Sequence, residues 1–298
     1  MFGRREEVAM SIINLVDNWR RDIKYYFNWL LNSDLRKEMA KNKALKNKHQ
    51  GERCFIIGNG PSLKHYDLSK LTDDYVFTVN YMMKSESFKT LNPNCHLFFD
   101  PVVFGLDPEK QDDYEKIKLI EKTQHTHPDM NYVIPYRRRA NFLKLFPNHK
   151  FIYVYNNKTF TSRQKNVSHL HRNIPGFQNV ILYGINMAIY MGFKEIYLLG
   201  VDMTGFMEHF EYNKINDQFG HAYNETKEER EKISKILIEN KLDNEFYLKA
   251  MGKTFEHFRL MKKNASDHNV KLLNASSYGG LDVLERVNYE KIFLDGTN

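Results

Sequence analysis

Arg53-Cys54-Phe55-Ile56-Ile57-Gly58-Asn59-Gly60-Pro61-Ser62 sets a short apolar run directly against a glycine-rich turn. An apolar run of this length, bounded by turn residues, predicts a buried strand. The same grammar recurs outward from it. Residues 75–79 end at Asn80, and residues 96–99 end at Asp100-Pro101. Residues 132–134 and 151–154 follow, then 195–199, which run into Gly200-Val201-Asp202. Residues 270–273 close the series. Helical patterns separate these runs, at 179–191, near 225–240 and at 243–266. Strands alternating with helices predict an α/β fold with a doubly wound, mostly parallel sheet. No internal repeat is present.

In such sheets ligands collect at the carboxyl ends of strands. Here those ends carry Asn59 and Ser62, then Asn80, then Asp100, then Asp202 and Thr204. One polar residue after a strand is ordinarily a turn or cap; a succession of them points to a site. Gly58 and Gly60 would let backbone approach a ligand, and Pro61 suits a first helical turn whose N–H groups face phosphate. The turn is neither a full dinucleotide fingerprint, since Leu63 takes the third glycine position, nor a P-loop. Gly252-Lys253-Thr254 fails as a P-loop as well, because Tyr247 stands where the upstream glycine belongs. Downstream, Glu208-His209-Phe210-Glu211-Tyr212 and Phe219-Gly220-His221 bring two candidate bases, His209 and His221, and a hydroxyl, Tyr212. There is no Asp-x-Asp pair, so the usual divalent clamp on a diphosphate sugar has no evident ligands; neither a metal nor a cofactor is expected.

The chain has 298 residues, 42% hydrophobic and 14% aromatic, which suffices for one large core and excludes a disordered or fibrous protein. Cys54 and Cys95 sit in apolar runs and read as buried thiols, too few for a disulfide framework or zinc site. Net charge is +7, crowded into Arg36–Arg53 and Arg137-Arg138-Arg139. Charge alone admits nucleic acid, nucleotides, acidic glycans or an anionic membrane. No leader and no span of about 20 apolar residues is read, so the cytoplasm is the expected compartment. Val8, Ile12, Leu15, Val16, Trp19, Ile23, Tyr26, Phe27, Leu30 and Leu31 recur at helical spacing. They predict an amphipathic helical extension over 1–50, set before a single catalytic domain over 51–298. That helix packs on the domain, on a sister subunit, or against the inner membrane face. Residues 41–49, rich in Lys and Asn, read as a solvated helix end or linker.

Ile56 to Lys64, Asn80, and Met191 to Asp202, in that order and spacing, resemble small bacterial sialyltransferases that use CMP-N-acetylneuraminate. They also resemble the wider group of motility-accessory-factor-type nonulosonate transferases, capsule and O-antigen proteins and hydroxymethylpterin pyrophosphokinases. The ending Asn274-Ala275-Ser276-Ser277 with Leu281 to Val287 is similar to the polysaccharide members. The resemblance implies a Rossmann-like GT-A variant, inversion at the anomeric carbon, no metal and a homo-oligomer. It implies that Asn59 and Ser62 contact donor phosphate or ribose and Asn80 the nucleotide or sugar; Gly58, Gly60, Asp100, Asn179 and Asp202 complete the expected donor site. Asp100 stands where the sialyltransferases have asparagine, and Thr204 where they have a phosphate-binding tyrosine.

The expected function is inverting transfer of an acidic sugar (sialic, legionaminic, pseudaminic or Kdo-like) from a CMP donor to a glycan or lipid-linked acceptor, with no nucleic-acid partner. His209 or His221 takes the acceptor proton, Tyr212 and Thr204 steady the departing phosphate, and Arg137 to Arg139 attract a carboxylate or form a solvated face. Two rivals are a pterin pyrophosphokinase using ATP and magnesium through Asp100 and Asp202, and a non-catalytic nucleotide- or glycan-binding subunit.

Overall fold

The computed structural model describes residues 2–100, 106, 109–160, 169–204 and 244–294. In chain order these form helices α1 (Phe2–Leu31) and α2 (Ser33–Ala40), strands β1 (Arg53–Ile57) and β2 (Tyr75–Val79), helix α3 (Glu86–Thr90) and strand β3 (Cys95–Leu97). Helix α4 (Gln111–Thr126), strand β4 (Asn131–Pro135), helix α5 (Arg139–Leu145) and strand β5 (Phe151–Val154) follow. The described chain ends with α6 (Val180–Met191), β6 (Glu195–Leu199), α7 (Asn244–Asp267), β7 (Lys271–Asn274) and α8 (Lys291–Leu294).

The seven strands make one sheet in the order β5-β4-β3-β2-β1-β6-β7, and every pairing is parallel. The fold is therefore Rossmann-like α/β, as the alternating pattern predicts. β1 lies between β2 and β6, with Ile56 opposite both Phe77 and Leu198. A strand covered on both faces must be apolar throughout, and Phe55, Ile56 and Ile57 are wholly buried. Burying each such side chain contributes about 1.5–3 kcal/mol. Cys54 and Cys95 are buried free thiols, and loss of solvation raises the pKa of both.

α6 packs on β1, β2 and β3 and is buried along nearly its whole length, from Ile181 to Met191. Asn179 begins it: its side chain accepts the Ile181 N–H. Gly192 ends it in the left-handed region at φ 95°. The stretch expected as a solvated linker has a structural task here. The N–H groups of Asn47, His49 and Gly51 donate to the carbonyls of Tyr190, Met191 and Gly192, satisfying helix-end acceptors that burial would otherwise strand. A Cβ on Gly192 would stand 3.1 Å from Asn47 Cα. Gly192→Ala is expected to cost about 1–2 kcal/mol, from left-handed backbone plus that crowding; a urea titration measures it, and an unchanged midpoint would contradict the role.

Two expectations need correction. The connection from β1 to β2 holds no α-helix, only two 3-10 turns, Pro61–His65 and Leu68–Leu71. β3 stops at Leu97, although Phe98 and Phe99 remain buried beyond it. Among the described residues, no helix is long and apolar enough to cross a membrane.

Candidate functional site

The chain runs from β1 toward β5 on one side, then returns to lay β6 and β7 on the other. The order therefore reverses at the β1/β6 boundary, where open α/β sheets bind ligands. A cavity of about 340 Å³ opens there, walled by the β1 turn, Asn80 after β2, the start of α6, Gly200 to Thr204 after β6, and one face of α7.

The β1 and β6 turns are locked to each other. Gly58 N–H donates to Leu199 O at 2.8 Å and Gly60 N–H to Gly200 O at 2.7 Å. A Cβ on Gly60 would stand 2.5 Å from Asp202 Oδ2, and one on Gly58 would overlap the Gly200 carbonyl oxygen. The approach of one turn to the other thus requires these glycines by itself, a demand the sequence did not show.

Asp202 is the hub of the lock. Its Oδ1 accepts the Ser62 hydroxyl at 2.5 Å and its Oδ2 accepts the Ser62 N–H at 2.8 Å. Burial raises the Asp202 pKa, against the lowering effect of Ser62 and of the charges on Arg286 and His65. Its carbonyl accepts the Gly280 N–H at 2.7 Å, and the Val201 N–H donates to Ser276 Oγ at 3.1 Å. The segment after β7 thereby clamps the β6 turn. Ser62 is wholly buried and lies outside the cavity lining. The expected phosphate-facing helix start is in fact a five-residue 3-10 turn whose Ser62 N–H already faces Asp202.

Asn80 sits at φ 45°, a conformation Asn tolerates better than most residues. Its Oδ1 faces the N–H groups of Phe99 at 3.3 Å and Asp100 at 3.4 Å. Its carbonyl accepts from His96 Nε2 at 2.9 Å, and His96 Nδ1 in turn accepts the Thr78 hydroxyl at 2.7 Å. The wholly buried His96 is thereby held neutral: desolvation, only partly countered by the Asn80 bond, pushes its pKa down to about 3.

Of the expected donor-binding residues, Gly58, Asn59, Gly60, Asn80, Asn179 and Asp202 line the cavity and Ser62 and Asp100 do not; Thr204, expected to steady the departing phosphate, lines it too. Asn59 Oδ1 is buried with no hydrogen-bond partner, an acceptor waiting for a donor. His209, Tyr212 and His221 lie outside the described residues. Arg137 to Arg139 follow β4 away from the cavity, and Arg139 faces Glu38 at 3.7 Å.

Sequence reasoning placed a helix at 243–266, where α7 lies, but gave it no part in the site. Tyr247, Met251 and Thr254 line the cavity from one helical face, at a spacing of four and then three residues. One turn on, His257 Nδ1 accepts the Gln178 N–H at 3.1 Å beside Asn179. Its Nε2 is buried and unpartnered, and desolvation pushes its pKa down to about 4. The helical spacing was the available signal; the pairing with Gln178 is long-range.

A family model described as "6-hydroxymethylpterin diphosphokinase MptE-like" matches residues 28–205, more than half of the chain. No curated protein matches the sequence. Among solved structures, a MAf glycosyltransferase from Magnetospirillum magneticum AMB-1 is similar at 15% identity and a TM-score of 0.44, covering 86% of this chain and 39% of that one. The chain thus spans about two fifths of the length of that protein.

Proposed function

We propose, from the premise that this chain belongs to the MptE-like family, that it is a transferase using a nucleotide-activated donor held in the β1/β6 crevice. The donor we assign is a CMP-activated acidic sugar, and the acceptor a glycan or lipid-linked sugar. One observation carries this reading. Asp202, the carboxylate in the cavity wall, is committed to Ser62, so Asn59, Asn80, Asn179, Thr204, Tyr247 and Thr254 supply the polar lining. Amides and hydroxyls suit a leaving group that is a single phosphate, whose developing charge neutral donors can balance.

In this reading the orphan Asn59 Oδ1 accepts a ribose hydroxyl or the cytosine amine, not phosphate, which has no hydrogen to give. The Asn80 and Asn179 side chains, each with Oδ1 facing backbone N–H, offer the amide Nδ2 to phosphate oxygens. Thr204 steadies the leaving phosphate with Tyr212, and His209 or His221 takes the acceptor proton as the anomeric carbon passes through an oxocarbenium-like state.

The family description favours a second reading, diphosphoryl transfer from ATP to a hydroxymethylpterin. That chemistry asks Asp100 and Asp202 for magnesium. The residues fit it poorly as they stand, because Asp202 would have to share both oxygens with Ser62.

Melting shifts separate the two. CMP at a hundredfold excess over its Kd is expected to stabilise the protein by about 2.7 kcal/mol, equally with EDTA. Asn59→Ala should weaken CMP about three- to tenfold, the loss of one neutral hydrogen bond. A shift by ATP alone, and only with magnesium, would overturn the donor assignment in favour of the second reading.

A further inference from the structure

α1 is amphipathic, and it faces the wrong way for a helix that simply packs on its own domain. Its contacts with the domain run along Asp22, Tyr25, Asn28 and Trp29, with Arg21 also reaching Thr159. Asp22 Oδ1 accepts the Thr159 N–H at 3.0 Å, Asn28 Nδ2 donates to Tyr155 Oη at 2.8 Å, and Trp29 stacks on Tyr155 at 5.9 Å. Tyr25 and Trp29 also pack against the core. At 3.6 residues per turn, Val16, Trp19, Ile23, Tyr26, Phe27 and Leu30 fall in an arc about 100° wide, roughly 130° around the helix from that line. All except the half-buried Ile23 are exposed, Trp19 at 67% and Phe27 at 55%. Over residues 16–30 the apolar stripe therefore points away from the protein.

What covers it is argued from charge. Arg20 and Lys24 border the arc, are exposed, and pair with no described carboxylate. Within 16–31 the acids are Asp17 and Asp22, and Asp22 faces Thr159. A second copy meeting this face through its own α1 would bring the same cations and another chain of net charge +7, with only Asp17 and Asp22 over 16–31 to meet them. A stripe of Trp, Tyr, Phe and Leu edged by Arg and Lys, on a helix that does not qualify as a membrane span, has the composition of a helix lying in a bilayer interface.

We infer that the outer face of α1 docks on an anionic membrane surface, with Trp19, Tyr26, Phe27 and Leu30 in the interface and Arg20 and Lys24 against lipid phosphates. This stands apart from the reading of the cavity and survives its failure.

The full chain is mixed with vesicles of phosphatidylcholine alone, or carrying about 30% phosphatidylglycerol, and sedimented. Binding to the anionic vesicles is expected to be about tenfold tighter or more, two cations near the surface accounting for that difference, and to weaken at high salt. Phe27→Glu with Leu30→Glu should lower partition at least about tenfold without changing the melting temperature, since neither side chain touches the core. The chain has two tryptophans; Trp29→Phe leaves Trp19 as reporter, and its emission should move to the blue on anionic vesicles. No binding to either vesicle overturns the proposal, as does equal binding to both. A dimer seen by ultracentrifugation and broken by Phe27→Glu, without vesicle binding, gives the face to a second copy instead.

Discussion

Replacing Asp202 by alanine is expected to remove about 3–5 kcal/mol of stability and to abolish nucleotide binding. The carboxylate accepts two hydrogen bonds from Ser62, at 2.5 and 2.8 Å, and hydrogen bonds to a charged group are worth about 1.5–3 kcal/mol each. Deletion also leaves the wholly buried Ser62 hydroxyl and N–H with no acceptor. Relief of the carboxylate's own desolvation offsets part of this, which keeps the total below the simple sum. At about 2–4 °C per kcal/mol the melting temperature should fall by roughly 6–20 °C. Asp202→Asn keeps the shape, its Oδ1 accepting the Ser62 N–H and its Nδ2 donating to a turned Ser62 hydroxyl, so it should recover roughly half of the loss, neutral hydrogen bonds being about half as strong. A melting temperature within about 2 °C of wild type for the alanine variant would remove Asp202 from the centre of the lock.

The second large effect is acid lability carried by His96. Its pKa is about 3 in the folded protein, against 6.5 for the ordinary side chain. The sign follows from linkage: a group whose folded pKa is depressed contributes stability that is present above its unfolded pKa and lost as pH falls toward the folded one. The window is therefore pH 6.5 down to 3, and the loss across it is about 4 kcal/mol at roughly 1.4 kcal/mol per unit. The Thr78 hydroxyl can rotate to accept from a protonated ring, so the cost is the buried charge rather than a broken bond. His257, whose pKa is depressed to about 4, adds a loss of the same sign over the shorter window from 6.5 to about 4. Urea titrations at half-unit steps from pH 4 to 7 should show a steep fall in wild type and a shallower one in His96→Gln. Equal slopes would show that His96 is not the group responsible.

The sheet was largely legible because its strands obey a local rule: apolar runs of four or five residues between polar ends. Asn80, Asn179, Asp202 and Thr204 could be picked for the same reason, since each closes a strand or opens a helix at the carboxyl edge. What the sequence hid is what one element does to another. Gly58 and Gly60 read as ligand-facing glycines, and nothing local shows that Gly200 and Asp202, about 140 residues away, also demand the missing Cβ. Pro61 looks like a helix start, yet only 17 residues separate Ile57 from Tyr75, and they fold as two 3-10 turns. Tyr247, Met251 and Thr254 carry no motif; their helical register put them on the cavity. The amphipathic stripe of α1 was visible, but which way it turned was decided by Tyr155 and Thr159, over a hundred residues on.

The clamp after β7 bears on how this fold can be divided. The family match ends at residue 205, a natural place to cut an expression fragment. Such a cut would take away β7 and turn β6 into a bare margin with its main-chain groups unpaired on one side. It would also discard the Gly280 N–H that holds the Asp202 carbonyl and the Phe293 ring that stacks on Phe55. The matched segment is therefore not a portable module: shuffled into another protein without the 93 residues that follow it, it would carry the site's letters but not the site.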